Sequence, residues 1–169
     1  VCQDITAYLD ITGLVTLAPS QIDNGSLDAC GIFSMTLDST MLSCSHIPST
    51  NLVLTVTDMN GNVSSCAAVV TVEDTISPNA FCQNITVQLN ASGIGTATAA
   101  MADNGSNDNC GVASLSLDIT SFTCANLGPQ VGTLTVTDLS GNTSTCQTII
   151  RVEDNVNPIA LCQNVTVQL

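Results

Sequence analysis

The chain has 169 residues, nine cysteines, four aromatic residues, no Trp, and a net charge of −13 from fourteen acids against one Arg. So acidic a surface excludes nucleic acid and anionic lipid as partners, because both reward clustered Lys and Arg. No apolar run approaches the ~18 residues of a membrane span, so no direct membrane insertion is expected, and the interior must be built from Val, Ile, Leu, Ala and Thr.

In chain order, residues 1–80 and 81–160 are two copies of one sequence, in register without a gap and identical at 33 of 80 positions, and 161–169 opens a third copy. A fixed period of this length marks an array of modules. The predicted domains are therefore 1–80, 81–160, and a fragment, 161–169, carrying the first strand of a third module. Both ends of the chain fall inside a repeat, which reads as a window on a longer protein. In the second copy Ile85, Val87 and Leu89 alternate with polar residues, and Ile94, Thr96 and Thr98 follow a Ser-Gly turn. Beyond the polar stretch 103–111, Ala113, Leu115 and Leu117 alternate with serines. A short piece over 121–124 follows, then Leu134 and Val136 between threonines, and a hairpin loop over 138–142 leads into a last strand over 144–152. Period-two alternation bounded by turn residues predicts six or seven short strands per copy and no helix. The fold class expected is all-β, a tandem array of Ig-like antiparallel β-sandwiches. Each copy ends in a short tail, Val72-Glu73-Asp74 with Pro78 and Val152-Glu153-Asp154 with Pro158. A proline-bearing linker this short predicts a stiff, extended rod of modules.

Every cysteine obeys the same 80-residue step: Cys2, Cys30, Cys44 and Cys66, then Cys82, Cys110, Cys124 and Cys146, then Cys162. Four per small module reads as a disulfide framework and an oxidising, extracellular setting; the rival zinc site lacks a CxxC pair, and the one histidine, His46, aligns with Asn126. Cys82 opens the first strand and Cys146 the last. In an Ig-like sandwich these strands run side by side from one pole, which favours Cys82–Cys146 and Cys2–Cys66. The period alone is equally compatible with Cys66–Cys82, but the intervening chain spans roughly 50 Å when extended, against the ~7 Å that a disulfide allows between Cα atoms. Cys30 with Cys44, and Cys110 with Cys124, would close local hairpins.

Twelve of the fourteen acids form in-register pairs: Asp23/Asp103, Asp28/Asp108, Asp38/Asp118, Asp58/Asp138, Glu73/Glu153 and Asp74/Asp154. The two exceptions, Asp4 and Asp10, align with Asn84 and Asn90. In a sandwich the 103–111 loop and the 138–142 hairpin share a pole, at which the preceding linker arrives. That placement gathers Glu73, Asp74, Asp103, Asp108 and Asp138 at a module junction, and the counterparts Asp23, Asp28, Asp58, Glu153 and Asp154 would serve in the same way. Carboxylates converging in one place repel unless a cation sits among them, and hard oxygen ligands in this number suit Ca²⁺ as the cofactor. The plainer reading is turn chemistry, since Asp, Asn, Gly and Ser are common turn formers, with Asp38 and Asp118 the best examples.

No catalytic constellation is present. The single His has no counterpart in the second copy, and no Ser lies in an elbow motif, so the chain is not expected to be an enzyme. The ordered set CQNITVQL, DNGSNDNCG, Ser-Phe-Thr-Cys, TLTVTDLSGNTSTC and VEDNVNP resembles the tandem HYR-like (hyalin-repeat-like) modules of large Bacteroidetes cell-surface proteins. The resemblance covers the whole chain. It implies an Ig-like fold, export to the cell surface, and roles in adhesion, gliding or fibrous appendages. The function expected is the repetitive stalk of an extracellular adhesin or surface filament, stiffened by disulfides and Ca²⁺, with neighbouring modules of the same chain as partners. Two alternatives are lateral assembly with other copies of the protein into a fibre, and carbohydrate binding, which the scarcity of aromatics disfavours.

Overall fold

The computed structural model describes residues 1–168 and is all-β apart from four single turns of helix. The first copy contains β1 (Ile5–Tyr8), β2 (Leu14–Thr16), β3 (Ile32–Leu37), β4 (Met41–Ser43), β5 (Ser49–Asp58) and β6 (Val63–Glu73). The second contains β7 (Ile85–Gln88), β8 (Ile94–Thr96), β9 (Val112–Leu117), β10 (Ser121–Thr123), β11 (Gly128–Asp138) and β12 (Thr143–Glu153). The helical turns are α1 (Pro19–Ile22), α2 (Ala99–Ala102) and the 3-10 turns Cys44–His46 and Cys124–Asn126. One turn is too short to print a helical period, which is why the sequence shows none.

Each copy forms a four-stranded sheet, β1-β6-β5-β3 or β7-β12-β11-β9, and a two-stranded sheet, β2-β4 or β8-β10. Alternation sets the faces: Ala68, Val70 and Val72 of β6 are buried while Ala67 and Val69, on the opposite face, are exposed. Buried residues of both sheets meet in one core, with Leu42 of β4 packed in the same cluster as Leu54 of β5 and Val70 of β6. The result is two β-sandwich-like modules in tandem. The first and last strands of each copy run parallel, Ile5 opposite Val70 and Ile85 opposite Ile150, so the segments that lead into them also lie side by side. Cys2 is accordingly bonded to Cys66 and Cys82 to Cys146, with Cα atoms 5.7 and 5.8 Å apart.

Three details depart from the alternation and spacing. The local bonds Cys30–Cys44 and Cys110–Cys124 do not form, because β3 pairs with β5 whereas β4 pairs with β2. Cys30 precedes the one strand and Cys44 follows the other, so they belong to different sheets. Cys44 is bonded to Cys110 instead, Cα to Cα 5.5 Å, and Cys30, Cys124 and Cys162 are exposed free thiols. Second, the register of β3 on β5 shifts between Ile32 and Ser34. The bulge turns Phe33 outward, 72% exposed, and its counterpart Ala113 is likewise exposed rather than inward. Third, β8 presents Gly95 to the core and Ile94 to solvent. A Cβ on Gly95 would stand 2.5 Å from Val87 Cγ1, so the space its side chain would take belongs to Val87.

Residues 161–168, where a third first strand is expected, are exposed and form no ladder. β1 and β7 are held by pairing with the last strand of their own copy. Leu169 lies outside the described residues. The chain divides into two compact units: unit 1 is Val1–Ala80 with Ser106–Ser114 and Val136–Ser144, and unit 2 is Phe81–Gly105, Leu115–Thr135 and the chain from Thr145. Two loops of the second copy are thus part of unit 1.

Candidate metal centre

Unit 1 brings together three carboxylates from separate segments. Asp74 follows β6, Asp108 lies in the loop ahead of β9, and Asp138 is the last residue of β11. One ligand atom from each lies within 4.8 Å of the others. Asp138 is 1% exposed and Asp74 6%, and Asp108 is half-buried.

Local turn chemistry aims each side chain. Asp138 Oδ1 accepts the backbone N–H of Ser140 at 2.9 Å and of Asn142 at 2.8 Å, which closes the hairpin loop; Asn142 Nδ2 donates to Asp138 Oδ2 at 2.8 Å. The same amide donates to the carbonyls of Asp74 at 3.0 Å and Ile76 at 3.3 Å. Asp108 Oδ2 accepts from the N–H groups of Cys110 at 2.8 Å and Gly111 at 3.1 Å. Asp74 Oδ1 accepts from Ile76 N–H at 3.1 Å and from Asn109 Nδ2 at 3.3 Å. The Cys44–Cys110 disulfide fixes the 106–114 loop two residues from Asp108.

The other carboxylate oxygens of this set stand apart. Asp74 Oδ2 and Asp108 Oδ1 are buried without a hydrogen-bond partner, as is Asn109 Oδ1. A buried acceptor with no donor costs about 1–3 kcal/mol, more when charged, and three carboxylates this close repel one another. A cation relieves both. All three ligand groups are hard oxygen donors, with no thiol or imidazole among them, the donor set of Ca²⁺ and Mg²⁺ rather than of zinc or copper. An ion at ~2.3–2.6 Å from each ligand bridges oxygens up to about 5 Å apart, and the three ligand atoms lie within that reach of one another.

The remaining candidates do not join the cluster. Glu73 is exposed at the end of β6. Asp103 pairs by a backbone bridge with Cys82, and its carboxylate accepts Gly105 N–H at 3.2 Å. Asp23, Asp28 and Asp58 accept the backbone N–H groups of Ser26, Cys30 and Asn60 in turns. Glu153 pairs with Arg151 at 2.7 Å and takes a hydrogen bond from Gln88; with the Gln88 bond as the larger influence, its carboxyl is held below the usual range. Asp154 accepts Val156 N–H at 2.9 Å. Reasoning from sequence missed Asn142 and Asn109. Asn142 had a signal, since Asn62 stands in register with it; Asn109 had none, since Ala29 replaces it in the first copy.

No family model and no curated protein matches the chain. Solved structures give distant similarities in strand architecture. Human protocadherin-24 EC1-2 is 12% identical with a TM-score of 0.43, over 89% of this chain and 95% of that one. Drosophila N-cadherin EC1-4 is 11% identical with a TM-score of 0.44, over 90% of this chain and 47% of that one. The fibronectin(III)-like modules of Clostridium thermocellum CbhA are 10% identical with a TM-score of 0.32, over 83% and 88%. The chain spans about a third of the length of the protocadherin gamma B7 extracellular domains 1-4, covering 34% of them.

Proposed function

We infer that the chain is a stretch of structural repeats from an extracellular stalk or surface filament, in which a bound Ca²⁺ and a disulfide tie the loops of one copy to the copy before it. The observation that carries this reading is the Asp74, Asp108 and Asp138 cluster with its unpartnered buried oxygens. Two of these acids come from the second copy and one from the first, so an ion held among them is a tie across the repeat boundary. The three disulfides support an oxidising, extracellular location. The repeat itself supports a load-bearing or spacing role, because identical units in series add length without adding a new site.

Isothermal titration calorimetry on the metal-free chain tests the reading. One Ca²⁺ should bind per chain at this site, and Asp74→Asn should abolish that binding. The isosteric amide keeps the acceptor for Ile76 N–H and removes only the ligand charge. Absence of Ca²⁺ binding to the natural chain, or unchanged affinity in Asp74→Asn, overturns it.

A further inference from the structure

Parallel first and last strands set how a pull along the chain loads each copy. The chain enters the sheet at Ile5 of β1 and leaves it at Glu73 of β6, and these strands are neighbours over four pairs, from Ile5 opposite Val70 to Tyr8 opposite Glu73. A pull on both ends would by itself slide β1 against β6, and once that short ladder opened the rest of the sandwich could be drawn out. Two cysteines bypass the ladder. Cys2 stands three residues ahead of β1 and Cys66 three residues into β6, and they are bonded to each other. The second copy is built alike, with Cys82 three residues ahead of β7, Cys146 three residues into β12, and β7 parallel to β12 from Ile85 opposite Ile150.

Each bond gathers both ends of a loop, 64 residues apart in sequence, at one point of the chain. A loop closed in this way cannot be drawn out by a pull along the chain, because the pull crosses at its neck. From Cys2 the covalent route passes to Cys66, along β6, through the linker to Cys82, and across to Cys146 in β12. Only 16 residues separate Cys66 from Cys82. Of these, the stretch from Cys66 to Glu73 is already strand, at ~3.3 Å per residue against a limit of ~3.6 Å. The route therefore has little length to give. Cys44–Cys110 offers a second route between the copies, but it runs 42 residues from Cys2 to Cys44 and 36 from Cys110 to Cys146. It is too long to draw taut while the shorter one holds.

We propose that Cys2–Cys66 and Cys82–Cys146 are mechanical clamps: tension along the chain passes through these two bonds and through β6 and β12, and the 64-residue loop of each copy is held out of the extension. The clamps make the repeat a tether of nearly fixed length, in which the sandwich hangs from a strand that is already straight. Their role differs from the entropic one that any disulfide has, because it depends on where the bonds sit relative to the parallel strand pair. That tension acts on the chain rests on the stalk reading. The route itself does not, and it needs no bound cation.

The test is single-molecule stretching of the whole chain, held by a tag at each end, in EDTA. Cys30→Ser, Cys124→Ser and Cys162→Ser remove the three free thiols, so that none can exchange with a loaded bond. Oxidised, the chain should stretch without a release step up to the force that detaches the tags. With dithiothreitol present, at a constant force that unravels the fully reduced chain, it should lengthen in two steps. Each should measure about 200 Å, the length of a 64-residue loop at ~3.3–3.6 Å per residue. The rate of these steps should rise with the applied force, because work done as the S–S bond lengthens comes off the barrier to thiol exchange. Adding Cys44→Ser and Cys110→Ser should leave the two steps as they are. A release step of that size without reductant, no lengthening in dithiothreitol, or steps whose rate ignores the force would each overturn the proposal. A chain that behaves as expected yet binds no Ca²⁺ keeps the clamps and loses the cation, so the two readings fail separately.

Discussion

The two aspartates without an acidic counterpart explain what the others are for. Asp4 Oδ1 accepts Val69 N–H at 2.7 Å, and Asn84 Oδ1 accepts Ile149 N–H at 3.0 Å in the second copy. Asp10 and Asn90 likewise exchange without changing the turn they close. A turn or edge acceptor needs an oxygen, and Asn supplies one as well as Asp does. Asp4→Asn should therefore leave stability within about 0.5 kcal/mol in chemical denaturation, while Asp4→Ala, which orphans the Val69 N–H, should lose about 1 kcal/mol. Charge matters more at Asp58, where the side-chain amide of Asn62 and its backbone N–H hold the carboxyl below its ordinary value. A lowered folded-state pKa contributes stability that is fully present above the unfolded value, about 3.9, and is lost as pH falls through the folded one. NMR titration should find Asp58 protonating below the usual aspartate range, and Asn62→Ala should move it back up. At this scale the sequence named Asp74, Asp108 and Asp138 by their repetition. It also named Glu73, Asp103 and the first-copy acids, because a turn acceptor and a metal ligand carry the same letter.

Within the elements, the two cores reach the same packing with different residues. Leu42 becomes Phe122 while Leu17 becomes Ala97 and Ile22 becomes Ala102; Ala7 becomes Val87 while Val15 becomes Gly95. Volume added at one position is removed at another, as close-packed interiors require. Gly95→Ala should cost about 1–3 kcal/mol, since its Cβ meets Val87 Cγ1 at 2.5 Å. Val87→Ala in the same chain should restore part of that loss, and a double-mutant cycle measured by denaturant unfolding should return a favourable coupling. Additive losses would contradict the packing argument. The strands were legible because alternation is printed directly in β5, β6, β11 and β12. The bulge in β3 and the inward face of β8 were not, since Ala113 and Ile94 look like core residues until their pairing partners are known. The partner of Cys44 was hidden for a related reason: alternation locates β3 and β4 but does not say that they join different sheets.

For the whole molecule, small cores, disulfides and the acidic cluster divide the work of stability. Each within-copy disulfide closes a loop of 64 residues and by chain entropy contributes roughly 4 kcal/mol, a large share of a small module's stability. Reduction should therefore unfold both modules near room temperature, read as loss of the β-sheet circular dichroism signal. The Cys44–Cys110 bond has a further role, because it positions the loop that carries Asp108. In a Cys44→Ser, Cys110→Ser chain that loop must be ordered when the ion binds, so Ca²⁺ affinity should fall several-fold while Cys2–Cys66 and Cys82–Cys146 stay intact.

The most direct measurement is thermal unfolding of the natural chain and of Asp74→Asn, each in EDTA and in millimolar Ca²⁺. The account predicts that Ca²⁺ raises the melting temperature of the natural chain, by an amount equivalent to about 2.7 kcal/mol when the ion is at a hundredfold excess over Kd, and that it leaves Asp74→Asn unmoved. In EDTA the order should reverse, with Asp74→Asn melting at or above the natural chain because one of three crowded charges is gone. A natural chain indifferent to Ca²⁺, or one that melts above Asp74→Asn in EDTA, would contradict it.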